Sequence, residues 1–194
     1  MKNKKRTDVD WSQHELIIKE NDDFASYQLK KPGTYCQSIK FINTNGVLVV
    51  TGDYSNWLFC REFHPSKGGN VSDGYWCEKL EISSSQKSKE YDSEATRKIL
   101  TDGLDFELEE YGYSGDELSE MKKYYQELLS YVDCDEWEYT CHAYMEYPGF
   151  VDFESVPYST KTNYILLIVF DAFEEICRRM EKTVEAVETK EERV

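Results

Sequence analysis

The feature that most constrains the fold of this 194-residue chain is the uneven distribution of its charge. The formal net charge is −15, and residues 101–154 alone hold sixteen Asp and Glu against two Lys, a net charge of −14. The same block contains twelve aromatic side chains. A purely solvating acidic tail has no use for so many rings. The block is therefore expected to fold, mainly as helices with carboxylates on their surfaces.

The composition predicts one compact domain with a sizeable core, because 40% of the residues are hydrophobic and 14% are aromatic. Within it we expect a β-rich part over residues 1–82 and a helical part over 83–194. The negative charge argues against direct binding to nucleic acid or to an anionic membrane. The longest apolar run, at 164–170, is far too short to span a bilayer.

The cysteines predict a reducing environment. The six of them include no Cys-x-x-Cys pair, and the basic start of the sequence is not followed by the apolar segment of a secretory signal. We therefore expect reduced cysteines and a cytoplasmic location.

Residues 24–63 carry the strand pattern. The segments 38–43 and 46–52 flank a predicted hairpin turn at 44–46, and 56–63 is expected to form a third strand. The continuous apolar runs within these segments are typical of strands covered on both faces, which requires a helical layer.

Helical periodicity dominates from residue 93 onwards, after a stretch at 75–82 that fits either a helix start or a strand. Four helices are predicted. The first covers 93–108, the second begins after a capping box formed by Ser114 and Glu117, and the third and fourth cover 135–147 and 163–189. The fold class is therefore α+β, with an N-terminal antiparallel β-meander packed against a C-terminal group of about four helices.

Two tryptophans, Trp57 and Trp137, are expected in the core, and the sequence favours neither core nor surface for Trp76. Trp137 is expected on the inward side of the helix over 135–147, together with Cys141 and Tyr144.

A catalytic interpretation centres on the end of the third strand, where Arg61, Glu62 and His64 follow Asp53 at the preceding turn. These groups are suited to general acid–base work and anion binding in a metal-dependent enzyme acting on nucleotides or nucleic acid. The alternative is a strand edge at which Arg61 and Glu62 neutralise each other. No glycine-rich phosphate loop accompanies the cluster, so we assign no catalytic residue and expect no cofactor.

A metal-binding interpretation rests on Glu138, His142 and Glu146, which are four residues apart and so share a helix face. Since no second helix supplies further ligands, a solvated face is favoured and no metal is assigned.

The acidic block supports a different hypothesis. Carboxylates held close together on folded helices imitate the charge of a nucleic-acid backbone, so that a groove lined with Lys and Arg would accept them. Solubility alone is the competing interpretation. The candidate partner-binding residues are Asp105, Glu107, Glu109, Glu110, Asp116, Glu117, Glu120, Asp135, Glu136 and Glu138.

A resemblance adds to this interpretation. The stretch GTYCQSIKFINTNGVLVVTGDYSNWLFCREFHPS, with VSDGYWCEKL, resembles uncharacterised proteins encoded by bacteriophages and prophages. The overall profile is similar to that of phage counter-defence proteins, including anti-CRISPR inhibitors. The resemblance implies a stoichiometric inhibitor, in the cytoplasm of a bacterial host, of a defence nuclease such as a CRISPR effector; an adaptor or virion-associated role remains open. It assigns a role to no individual residue.

Overall fold

The computed structural model describes residues 6–22, 24–65, 72–83, 88–146 and 149–191, with side chains as far as residue 183. Contacts within the chain define two compact units, which we call the sheet unit (Met1–Ser88 with Thr162–Val194) and the acidic unit (Lys89–Lys161). The C-terminal helix thus groups with the sheet, a different division from the one expected at residue 82. None of the helices in the described ranges combines the length and apolar character needed to cross a membrane.

The sheet unit contains a six-stranded antiparallel meander, and with the helices that follow it confirms the predicted α+β class. Each strand pairs with the next in the chain. The strands are β1 (Glu15–Asn21), β2 (Phe24–Lys30), β3 (Ile39–Thr44), β4 (Val47–Gly52), β5 (Trp57–Phe59) and β6 (Leu80–Ser83).

The β3–β4 hairpin turns through Asn45 and Gly46, whose φ angles of 50° and 82° are those of a two-residue hairpin turn. This confirms the turn predicted at 44–46. At the far end of β4, Gly52 has a φ of 134°, and a Cβ there would lie 2.2 Å from the Ser38 carbonyl oxygen. Only glycine fits at that position without moving the backbone of β3.

The segment that follows β4 is less regular than its sequence suggests. The predicted strand over 56–63 is reduced to β5, because Phe59 already pairs with Leu48, next to the first residue of β4, and the chain beyond it runs past the end of that strand. Further on, the buried Asn43 side chain hydrogen bonds to both the N–H and the C=O of Phe63. The stretch 75–82, for which a helix start and a strand were both predicted, contains one after the other. Helix α1 (Asp73–Glu78), capped by the Ser72 hydroxyl, leads directly into β6.

Helix α5 (Tyr164–Glu191) covers one face of the sheet. Phe173 is the centre of this core: its ring lies 4.6 Å from that of Trp76, 4.4 Å from Phe63 and 4.6 Å from Phe41, between ring centroids. On the other face, four side chains lie next to one another across β3 to β6: Ile42, Val49, Leu58 and Ile82. The last of them, Ile82, is 61% exposed. The expectation that the strands with continuous apolar runs are covered on both faces is met only in part, because Val49 and Leu58 on this face are half-buried.

The start of the chain is tied to α5 by a buried carboxylate. Asp171 accepts hydrogen bonds from the backbone N–H groups of Arg6 and Thr7, at 3.1 and 2.7 Å, and from the Thr7 hydroxyl. The Arg6 guanidinium also contacts Asp73 and Glu174, each at 2.7 Å. The N-terminal segment is thus part of the sheet unit's packing.

The acidic unit is helical. It consists of strand β7 (Lys89–Tyr91), helices α2 (Ser93–Tyr111), α3 (Asp116–Tyr131) and α4 (Glu136–Glu146), a short 3-10 helix (Phe153–Ser155) and strand β8 (Thr160–Thr162), whose last residue groups with the sheet unit. Strands β7 and β8 pair where the chain enters and leaves the unit. Its core cluster consists of Leu100, Leu128, Val132, Tyr139, Ala143 and Val156.

Two expectations for this unit are wrong. Helix α3 begins after Gly115, which has a φ of 61° and provides no side-chain cap, so Ser114 and Glu117 form no capping box. Trp137 is 72% exposed rather than in the core. The buried positions of α4 are instead Tyr139 and Ala143, and the Tyr139 hydroxyl donates to the carbonyl of Pro157 at 2.9 Å.

Candidate partner-binding surface

The charge of the protein belongs to one of its two units. The acidic unit contains nineteen Asp and Glu and six Lys and Arg, a net charge of −13, which leaves −2 for the sheet unit. The boundary found from packing therefore nearly coincides with the boundary found from charge. A compact body that is itself strongly anionic presents a focused negative field.

Most of the ten predicted carboxylates lie on the surface of this unit. Eight are exposed, whereas Glu107 and Glu136 are half-buried. The Glu107 carboxylate accepts a hydrogen bond of 3.0 Å from the Tyr125 hydroxyl, which links α2 to α3. Glu107 is therefore better described as a packing residue than as part of a binding surface.

The carboxylates of α2 do not all point the same way. Successive helical residues are about 100° apart, so Asp105 and Glu109 lie on the side opposite the buried Thr96 and Leu100. Asp102 shares that outer side and pairs with Lys98 at 2.7 Å.

On α3, Asp116 and Glu120 share the side opposite the buried Tyr125 and Leu128, although Lys123 lies on the same side. At the start of α4, the Asp135 carboxylate accepts a hydrogen bond of 2.9 Å from the Glu138 backbone N–H. Asp135 thus also has a structural role as a helix cap.

The ends of these helices carry unfavourable charge. Helices α2, α3 and α4 have no basic residue in their last turns, and α2 ends with the exposed Glu109 and Glu110. The C-terminus of a helix has partial negative charge, so carboxylates there reduce helix stability. This arrangement opposes folding, which points to a selective reason for the charge other than stability.

An exposed aromatic cluster accompanies the carboxylates, and the sequence interpretation missed it. The Phe153 ring stacks on Tyr144, with 4.4 Å between centroids and 18° between planes. Phe153 also stacks on Trp137, with 6.1 Å between the ring centroids and 1° between the ring planes. We call Trp137, Tyr144 and Phe153 the ring platform. The only signal for it in the sequence was that Trp137 lies between two glutamates.

The three groups of the catalytic interpretation do not meet. Asp53 bonds to the backbone N–H of Ser38 at one end of the β3–β4 hairpin. Glu62 accepts from the N–H of Gly46 at the opposite end and lies 3.3 Å from His64. A six-residue strand separates the two ends by roughly 17–20 Å, too far for one substrate atom to contact both carboxylates.

The remaining candidates form no site either. They are Arg61, from the catalytic interpretation, and the set Glu138, His142 and Glu146, from the metal-binding interpretation. Arg61 lies over the rings of Tyr75 and Trp76, at 4.9 and 5.4 Å from their centroids. His142 stacks on the ring of Tyr131 at 4.3 Å. Across the described ranges, no three His, Cys, Asp or Glu side chains are grouped so as to hold a metal ion.

Comparison with known proteins does not identify a relative: no family description, no curated protein and no solved structure matches this chain. The function is therefore inferred from the charge and geometry of the acidic unit.

Proposed function

We propose that this chain is a phage-encoded inhibitor of the anti-CRISPR type, which acts by binding rather than by catalysis. Its acidic unit occupies a basic, nucleic-acid-binding groove on a host defence nuclease and so excludes the nucleic acid. The observation that carries the proposal is that a separate compact unit holds −13 of the −15 charge.

The spacing of the carboxylates suits this role. Residues three or four apart on a helix have Cβ atoms about 5–6 Å apart, so Asp105 with Glu109, and Asp116 with Glu120, present paired negative charges along two helices. A groove that binds phosphates has Lys and Arg side chains at comparable intervals. Attraction between the two surfaces accelerates association and weakens as salt is added.

The unfavourable helix ends support binding over solubility as the reason for the charge. Solubility is served by carboxylates at any exposed position, including the first turns of helices, where they also stabilise. Glu109 and Glu110 lie at the last turn of α2, where they oppose the helix dipole. The enzyme alternative lacks comparable support, because Asp53 and Glu62 lie at opposite ends of a hairpin.

The test is affinity capture from a lysate of the bacterial host at low and high salt, with identification of captured proteins by mass spectrometry. We expect a nuclease with a basic groove that is retained at low salt, released at high salt and displaced by its own nucleic acid. Capture of only acidic or nucleic-acid-free proteins would contradict the proposal.

A matched pair of variants locates the binding surface. The first reverses four exposed carboxylates of the acidic unit, Asp105→Lys, Glu109→Lys, Glu110→Lys and Glu120→Lys. The control reverses four exposed carboxylates of the sheet unit, Asp8→Lys, Glu15→Lys, Asp22→Lys and Glu181→Lys, with the same change in net charge. Only the first is expected to weaken capture and flatten its dependence on salt. Equal effects of both would mean that net charge, and not this surface, is responsible.

A further inference from the structure

The ring platform places large apolar surface in water. Trp137 is 72% exposed and Phe153 is 42% exposed, although each stacks against a neighbour. Burial of a side chain of this size normally contributes to stability, so an exposed cluster of rings usually marks a contact surface. The rings come from two elements, α4 and the 3-10 helix, which pack against each other within the acidic unit.

The charge of the chain segment that carries the platform has one sign. Residues 124–160 contain eight Asp and Glu and no Lys or Arg. In the chain, Trp137 is flanked by Glu136 and Glu138, and Phe153 by Asp152 and Glu154. Carboxylates beside exposed ring faces form an environment that favours a cation and disfavours an anion.

We propose that the ring platform receives an arginine side chain of the basic partner, with the guanidinium stacked on Trp137 and its N–H groups directed to the flanking carboxylates. This inference rests on the proposed function and makes it more specific, because it names the side chain that the acidic unit recognises. The carboxylates supply long-range attraction, and the platform supplies a preference for arginine.

The chemistry distinguishes arginine from lysine. A guanidinium is planar and weakly hydrated, stacks on aromatic faces and presents several N–H donors in a fixed fork. A lysine ammonium is a compact, strongly hydrated charge that carboxylates attract equally well but that gains less from a flat ring. Trp gives the strongest cation–π contact of the aromatic side chains, and interfaces concentrate binding energy in Trp, Tyr and Arg.

The experiment compares polyarginine and polylysine peptides of equal length at low salt. Trp11, Trp57 and Trp76 are buried, so acrylamide quenching of the fluorescence reports mainly on Trp137. We expect the arginine peptide to bind about threefold or more tightly. We also expect it to protect the fluorescence from acrylamide more strongly than the lysine peptide does at equal occupancy.

The variants are Trp137→Leu, which keeps apolar bulk and removes the π face, and Phe106→Leu as the control. Phe106 is 59% exposed on α2 of the same unit and lies outside the platform. Trp137→Leu is expected to abolish the arginine preference while polylysine affinity is retained. Phe106→Leu is expected to preserve the preference.

Two results overturn the inference in distinguishable ways. Equal affinity for the two peptides, with no protection of Trp137, overturns the platform but leaves the proposed function intact, since binding would then be electrostatic alone. Failure of both peptides to bind at low salt overturns both proposals. The wild-type quenching measurement is independent of how the variants fold.

Discussion

The two units of this protein solve the problem of stability in opposite ways. The sheet unit has an aromatic and aliphatic core cluster of eighteen residues and is nearly neutral, whereas the core cluster of the acidic unit has six residues and the unit carries −13. Burial of apolar area is the main favourable term in folding, and mutual repulsion of carboxylates opposes it. The comparison shows that apolar burial is concentrated in the sheet unit and negative charge in the acidic unit, the distribution on which the proposed binding role rests.

The largest effect is expected at the centre of the sheet unit. Phe173→Ala should lower the free energy of unfolding by about 4 kcal/mol, because it leaves a cavity between α5 and the sheet. Urea unfolding followed by the fluorescence of Trp11, Trp57 and Trp76 measures it. Phe106→Ala, at an exposed position, should change the value by less than about 0.5 kcal/mol. A loss below about 1 kcal/mol at Phe173 would mean that this ring does not organise the core.

A smaller loss of stability is expected from a substitution in the acidic unit, and it should be confined to that unit. Leu128→Ala removes a fully buried side chain of the smaller core and should cost about 3 kcal/mol. Hydrogen exchange should then lose protection in α2, α3 and α4 while the strands β2 to β4 remain protected. Equal loss of protection in both units would show that they unfold together, and the comparison would fail.

Charge reversal should stabilise the acidic unit while impairing its function. Glu109→Lys with Glu110→Lys places positive charge at the last turn of α2 and is expected to add about 0.5–1 kcal/mol, less at high salt. The matched control is Glu94→Lys in the first turn of the same helix, which should destabilise. Thermal unfolding of the three proteins gives the signs. Stabilisation by both variants would attribute the effect to net charge rather than to the helix dipole.

The smallest effect is a dependence of the sheet unit on pH. Burial lowers the pKa of His14, with Lys31 and Arg179 acting in the same direction and the Gln37 carbonyl and Asp10 opposing them. The unfolded chain therefore binds a proton more readily than the folded one, so stability should fall as the pH drops below about 6.5. His14→Gln should reduce this loss in urea titrations at a series of pH values. An unchanged slope would show that His14 does not titrate differently in the two states.

Local chemistry made part of the fold predictable. The Asn-Gly pair at 45–46 adopts positive φ angles readily, so the hairpin followed from the sequence. The apolar alternation of β3 and the periodicity of α5 likewise identify their elements without tertiary information. The class α+β depends only on features of this kind.

The missed features depend on contacts between distant residues. The inward side of α4 is set by the Tyr139 hydroxyl reaching Pro157, and hydrophobicity alone ranks Trp137 above Tyr139. The strand expected over 56–63 ends early because its partner β4 begins at Val47, opposite the residue that follows Phe59. The separation of Asp53 from Glu62 follows from the direction of β5, which their short distance in the sequence conceals.

The chain order of the two units has a consequence for synthesis. All six strands of the meander have been translated by Ser83, but the helix that covers them begins at Tyr164, about eighty residues later. At synthesis rates of about 5–20 residues per second the ribosome needs roughly 4 to 16 seconds for that interval, during which the aromatic face of the sheet lacks its cover. The acidic unit, Lys89–Lys161, is synthesised during this interval. Because like charges repel, we expect the acidic unit to disfavour association between neighbouring nascent chains until α5 has been made.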